Sequence, residues 1–180
     1  MNKICFLLLT VFALAFASCS DDEPAPRSEA DIYGAWADRH GDYFYFSYPN
    51  ICYKLAPESD GHAMLYHDAY YYEPGYNFLM YVGTDADSEI QPDIYQVTSL
   101  TDDKMTWVWA DNLRDDKFDG MSKSEILGQI IKEAQEGFKL DYSRTSEFTR
   151  IETSEFKRLL EKYDYSDIIE ELWGNQAYGN

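Results

Sequence analysis

With 180 residues and a formal charge of −18 at pH 7, the chain is acidic enough to repel nucleic acid and anionic headgroups, so neither is an expected partner. Its length suits one domain around a single sizeable core. Its three cysteines leave no internal disulfide to expect, and its sixteen tyrosines are far above ordinary usage.

Residues 1–18 read as a secretory signal peptide, with one positive charge at Lys3, an apolar run to about Phe16 and the small pair Ala17-Ser18. The run is shorter than the roughly 20 residues that cross a bilayer. Because Cys19 follows the small pair directly, this leader resembles those of bacterial lipoproteins, with Phe16 where Leu is usual. The resemblance implies that Cys19 takes a diacylglyceryl thioether, with palmitate as a further acyl chain, and becomes the first residue of the mature protein. Each buried methylene contributes about 0.8 kcal/mol, so two or three chains hold the domain firmly to its membrane. Residues 19–31, with Pro24, Pro26 and a surplus of acids, read as a flexible acidic linker. The acidic run after the cysteine resembles export tags of some Gram-negative lipoproteins, which implies the outer membrane and its outer face. Cys5 leaves with the leader, so Cys52 stands alone, in a strand-like run that suggests a buried, inert thiol.

From Ile32 to about Ala110 the chain is nearly all strand, because Val, Ile, Tyr, Phe and Trp recur in short runs between turn residues. The runs predict strands near 33–39, 43–48, 51–56, 62–73, 76–82, 93–100 and 104–110. Gaps this short favour antiparallel neighbours in an up-and-down meander. Tyr95 and Val97 share one face of their strand, and Met105, Trp107 and Trp109 share one face of theirs, as where a sheet closes on a core.

Gly34-Ala35-Trp36 opens the first strand, and Phe148-Thr149-Arg150 lies in a last strand near 143–151. With the meander between them, these residues make the chain similar to lipocalins, especially the small lipocalin-like domains of lipid-anchored bacterial proteins. The resemblance implies an eight-stranded barrel whose base is closed by Gly34, Trp36 and Arg150, the guanidinium packing across the indole. The chain departs from the family in placing a long insertion, 112–141, before the eighth strand. Within it, Ser122 and Glu125 have capping-box spacing, Met121 and Ile126 sit where a hydrophobic staple would, and Gly137 supplies a stop. Ile126, Leu127, Ile130, Ile131 and Ala134 form an apolar stripe that packs on the parent domain, docks a protein, or covers a barrel mouth. Two more amphipathic helices follow within 153–173, and residues 175–180 read as a loose tail. The expectation is a mainly β, antiparallel, up-and-down, lipocalin-like eight-stranded barrel over 32–174, with one helical insertion and two short C-terminal helices.

Catalysis finds little support. His40, His62 and His67 lack metalloprotease spacing, and neither a Gly-x-Ser-x-Gly elbow nor a phosphate loop is present, so no enzyme and no cofactor are expected. No metal is expected either. The nearest approach is Asp85, Asp87 and Glu89, whose alternation opens like a calcium loop but lacks its glycine and closing glutamate, and a second acidic group at Asp115, Asp116 and Asp119. The aromatic load is the stronger lead, with Tyr45, Tyr66, Tyr70, Tyr72, Trp107 and Trp109 as candidate ligand contacts. Two functions stay open. One is a surface-exposed outer-membrane lipoprotein that binds a small apolar molecule or glycan fragment in or at the barrel. The other is a non-catalytic accessory subunit of an outer-membrane protein complex.

Overall fold

A computed structural model describes residues 29–84, 90–111, 117–118 and 120–174. The leader, Cys19, most of the linker, both acidic groups (Asp85, Asp87 and Glu89; Asp115, Asp116 and Asp119) and the tail lie outside the described residues. Eight strands, β1 (Gly34–Asp38), β2 (Tyr43–Ser47), β3 (Ile51–Pro57), β4 (Ala63–Glu73), β5 (Phe78–Thr84), β6 (Ile90–Leu100), β7 (Lys104–Ala110) and β8 (Leu140–Ile151), pair in sequence order as a closed barrel. Every neighbour is antiparallel, and β8 returns to β1 with Trp36 opposite Arg150. The fold is thus the expected mainly β, up-and-down, eight-stranded barrel: the strand spacing predicted the meander, and the resemblance implied its closure.

Three helices complete it: α1 (Lys123–Glu136) between β7 and β8, then α2 (Thr153–Lys162) and α3 (Ser166–Trp173) after β8. At the start of α1 the Glu125 carboxylate accepts from both the N–H and the hydroxyl of Ser122, the return half of a capping box. Its proposed staple residue Met121 is 38% exposed, so that contact adds little. Gly137 ends the helix at φ 92 and ψ 121, a backbone that a side chain would strain but not the left-handed helical stop expected from the sequence.

Alternation along the strands sorts the aromatic residues into three buried layers. The interior takes Trp36, Phe44, Phe46, Tyr70, Tyr72, Leu79, Val97, Leu100, Met105, Trp107 and Phe148, at least one from every strand except β3, which contributes Cys52. On the outer wall of β1 to β4, Ala35, Tyr45, Tyr53 and Leu55 meet Phe156 and Leu160 of α2, with Ile168, Ile169, Leu172 and Trp173 of α3 packed against them. Across the barrel, Phe78 and Met80 of β5, Ile94 of β6 and Ala110 of β7 meet Ile126 and Ile130 of α1. The apolar stripe of α1 is therefore spent on the wall and does not cover a mouth. Because helices cover both outer faces, strands such as β2 are apolar on both sides, which explains Tyr-Phe-Tyr-Phe where simple alternation would give a polar outer row.

Two boundaries differ from the sequence expectation for identifiable reasons. β6 begins at Ile90, through Pro92, because residues 90–94 pair with β5 alone and the ladder to β7 begins at Tyr95. The missing proline N–H then costs no bond. β8 starts at Leu140, opposite Ala110, so the insertion ends before 141. The single 3-10 turn of Glu29–Ile32 also takes in the end of the segment expected as linker.

Candidate functional site

The barrel has two unlike ends. At the base, where β1 starts and β8 ends, Arg150 Cζ lies 4.1 Å from the centre of the Trp36 ring. The guanidinium also donates to three carbonyls: Nε to Asp102 at 2.5 Å, and the terminal nitrogens to Tyr33 and Asp31 at 2.6 Å each. Trp36 Nε1 donates to the Ile32 carbonyl at 2.9 Å. One side chain thus joins the entering chain, the β6–β7 turn and the first strand. Gly34 is required beneath it: its φ is +107, and an added Cβ would stand 3.0 Å from an Arg150 nitrogen. Partial burial lowers the Arg150 pKa below its usual value, but the group stays charged near neutrality.

Above the base the interior is packed solid. Tyr70 and Tyr72 are each 2% exposed, and their hydroxyls reach the Ser47 carbonyl at 3.5 Å and Asn77 Oδ1 at 3.3 Å. They are core residues with satisfied phenols, not ligand contacts as the aromatic count suggested. Tyr45, by contrast, lies outside the interior. It stacks on Phe156 at 5.5 Å and meets the edge of Trp173 at 4.9 Å, because Phe44 and Phe46 beside it take the inward positions.

Toward the opposite end, the mouth, the packing stops and leaves a cavity of about 270 Å3. Trp107 forms its floor with Phe44 and Phe148; Tyr81 and Tyr95 stand as walls; Asp38, Asp68, Asp93 and Lys54 reach it from the rim. The rings are mutually braced, since Tyr95 lies 5.1 Å from Trp107, and Tyr81 meets both Trp107 and Tyr95 edge-on at 6.0 Å. Of the aromatic residues singled out from the sequence, Trp107 lines this cavity. Trp109 lies beside it, 5.5 Å from Tyr95, with Arg144 Cζ 3.7 Å above its own ring. Tyr66, opposite Lys54 on β4, is 43% exposed, and its hydroxyl meets Met64 Sδ at 3.1 Å.

Tyr81, Tyr95 and the three aspartates were not among the candidate ligand contacts, although Tyr95 was placed on the core-facing side of its strand. Their common signal is parity. Once Trp36 is inward, so is Asp38, and the cross-strand pairs Cys52–Asp68 and Tyr81–Asp93 carry the same face round the barrel. Acids at inward positions mark the stretch where a barrel stops being filled.

Electrostatics favour neutral phenols here. Burial raises the pKa of Tyr81 and Tyr95 well above the ordinary value, and the neighbouring Asp93 charge adds to the effect on Tyr95. Burial also pushes the Cys52 thiol up to about 12, and its sulfur lies 3.7 Å from the Tyr81 hydroxyl, so it is no thiolate nucleophile at neutral pH. Lys54 is engaged by Asp42 at 2.7 Å. Among the described residues no three acidic, histidine or cysteine side chains are grouped to hold a metal ion.

A larger concavity, about 490 Å3, lies outside the barrel where α3 crosses β2 and β3, lined by Tyr33, Tyr45, Tyr48, Tyr53 and Glu171 among others. Its tyrosines are largely committed: Tyr53 donates to Glu171 at 3.0 Å, Tyr45 stacks on Phe156, and Tyr33 meets Tyr48 edge-on at 6.4 Å. The mouth is the smaller space, but it combines an aromatic floor, neutral phenols and fixed charges. No protein-family model matches the chain, and neither a curated protein nor a solved structure is found to be similar to it.

Proposed function

We propose that this protein is an outer-membrane lipoprotein, anchored through Cys19 and exposed at the cell surface, whose lipocalin-like barrel binds one compact molecule at its mouth. The mouth cavity carries the proposal. A volume of about 270 Å3 lies just below the usual range of small-molecule pockets, roughly 300–1,000 Å3, so the occupant is small. The aromatic floor suits the two ligand classes that the sequence suggested, a small apolar molecule or a glycan fragment, since both stack on ring faces. No catalytic role is part of the proposal.

The direction of the chain supports the anchoring. Glu29–Ile32 joins the barrel at its base, where the Asp31 and Ile32 carbonyls meet Arg150 and Trp36. A lipid at Cys19 would therefore reach the domain through its closed end, opposite the mouth.

The accessory-subunit reading is weakened, because the α1 stripe on which it partly relied is buried against β5 to β7. Exposed rings such as Tyr48 (80%) and Tyr142 (71%) are the surfaces left to it. Native mass spectrometry of protein purified from its own host's membranes separates the two. A co-purifying small mass is expected, whereas a stoichiometric polypeptide partner with no small mass would favour the accessory role.

A further inference from the structure

Two phenols in the wall of the mouth cavity are poorly served by the protein around them. Tyr81 and Tyr95 both line the cavity and pack against the interior cluster. The Tyr81 ring reaches from β5 past β4 to β3, where its hydroxyl meets Cys52 Sγ at 3.7 Å; among the described residues it has no nitrogen or oxygen partner. The Tyr95 hydroxyl makes no hydrogen bond among the described residues. Tyr70 and Tyr72, deeper in the barrel, do better, reaching the Ser47 carbonyl and Asn77.

Buried hydroxyls are nearly always paired, because an unpaired one costs its desolvation, and a thiol is a weak partner. Nor can these rings swing away to find better ones. Tyr81 is held edge-on by Trp107 and Tyr95, each at 6.0 Å, and Tyr95 lies 5.1 Å from Trp107 and 5.5 Å from Trp109. A stronger partner therefore has to come from whatever fills the cavity.

Both phenols stay protonated near neutrality, so each has a proton to give. The Cys52 thiol is protonated too and can donate to the Tyr81 oxygen, which leaves the Tyr81 proton for the cavity. Solvent can pair these hydroxyls in the free protein, but a wholly apolar occupant would displace it and leave them unpaired. An anionic acceptor is disfavoured by the ring faces, which are themselves negative. A neutral carbonyl oxygen meets the need.

We infer that the mouth takes a compact, uncharged molecule with a flat apolar body and a ketone, amide or ester carbonyl, the body lying on Trp107 and the oxygen accepting from the Tyr81 hydroxyl, with Tyr95 as second donor. This rests on the reading of the mouth as the binding site, and it names the group on the ligand that the wall recognises.

Two matched probes test it: acetophenone, and α-methylstyrene, in which a methylene replaces the carbonyl oxygen. Each is titrated by calorimetry into the full acylated chain and its Tyr81→Phe and Tyr95→Phe variants at one detergent concentration, so that partitioning into micelles cancels between proteins. Tyr81→Phe should weaken acetophenone about five- to tenfold and change α-methylstyrene less than about twofold. Tyr95→Phe should act in the same direction. The ligand-free Tyr81→Phe protein should keep its Tm; a fall of more than about 5 °C would overturn the inference, because the hydroxyl would then belong to the fold. Equal losses for the two probes, or none for either, would overturn the carbonyl's role while leaving the mouth as a binding site. Failure of both probes to bind the unaltered chain also overturns the inference, and the mass carried by host-purified protein then judges the mouth reading separately.

Discussion

Replacing Arg150 by alanine should destabilise the barrel more than any surface change of similar size. The side chain makes three hydrogen bonds to carbonyls and one ring contact, joining segments as far apart as Asp31, Tyr33 and Asp102. Hydrogen bonds to charged donors contribute about 1.5 kcal/mol each at the low end, and the cation–π contact about 0.5–2 kcal/mol, for a gross sum of about 5–6.5 kcal/mol. Water reaches the freed carbonyls at this partly exposed base and recovers about half of that, leaving a cost of about 2–4 kcal/mol. Arg150→Lys keeps a charge near the indole, but a point donor cannot serve three carbonyls, so about 1–2 kcal/mol is expected. Urea unfolding followed by tryptophan fluorescence measures both. A double-mutant cycle with Trp36→Leu isolates the ring contact and should give a coupling of about 1 kcal/mol. A cost for Arg150→Ala within about 0.5 kcal/mol of zero would show that the base is not held by this residue.

Three other outcomes are expected. Tyr53 and Cys52 are both pushed up to about 12 in the folded protein, from 10.0 and 9.0, mainly by burial, with the Glu171 carboxylate adding to the effect on Tyr53. Groups raised on folding leave stability intact below their unfolded values and remove it as pH rises through the folded ones, so stability should hold to about pH 9 and fall between about 9 and 12. Ultraviolet titration of the phenolates checks this; all sixteen tyrosines ionising together near pH 10 in folded protein would contradict it. Ile130→Ala, at a fully buried position on the wall-facing side of α1, should cost about 2–4 kcal/mol and lower Tm by about 5–12 °C, whereas a change below about 1 kcal/mol would mean that α1 does not pack on the wall in solution. Cys19→Ser should abolish acylation and release the chain from membranes, and surface protease should digest the domain on intact cells; an unacylated native chain or complete protection would refute anchoring or exposure respectively.

How much of this was legible in the sequence depends on range. Strand existence follows from local patterning, and the pairing of Trp36 with Arg150 matches the position that the Gly34-x-Trp36 and Phe148-x-Arg150 resemblance implied. The start of α1 was marked by Ser122 and Glu125. Its destination was not, because an apolar stripe states that a face is buried without saying against what. The same limit misplaced Tyr45: on a strand buried on both sides, composition cannot distinguish inside from outside. Tyr70 and Tyr72, two apart on one strand, share a face, but depth along the barrel axis, which makes them core, depends on the registers of the neighbouring strands. The mouth itself is assembled from Asp38, Asp68, Asp93 and Tyr81 on four strands, and nothing local to any of them announces the others.

The most direct test of the account is the electron density in the mouth of protein purified from its own host without refolding. The account predicts a compact molecule stacked over Trp107 between Tyr81 and Tyr95. Ordered water alone in that space, in protein whose mass shows a bound small molecule, would place the ligand elsewhere and contradict it.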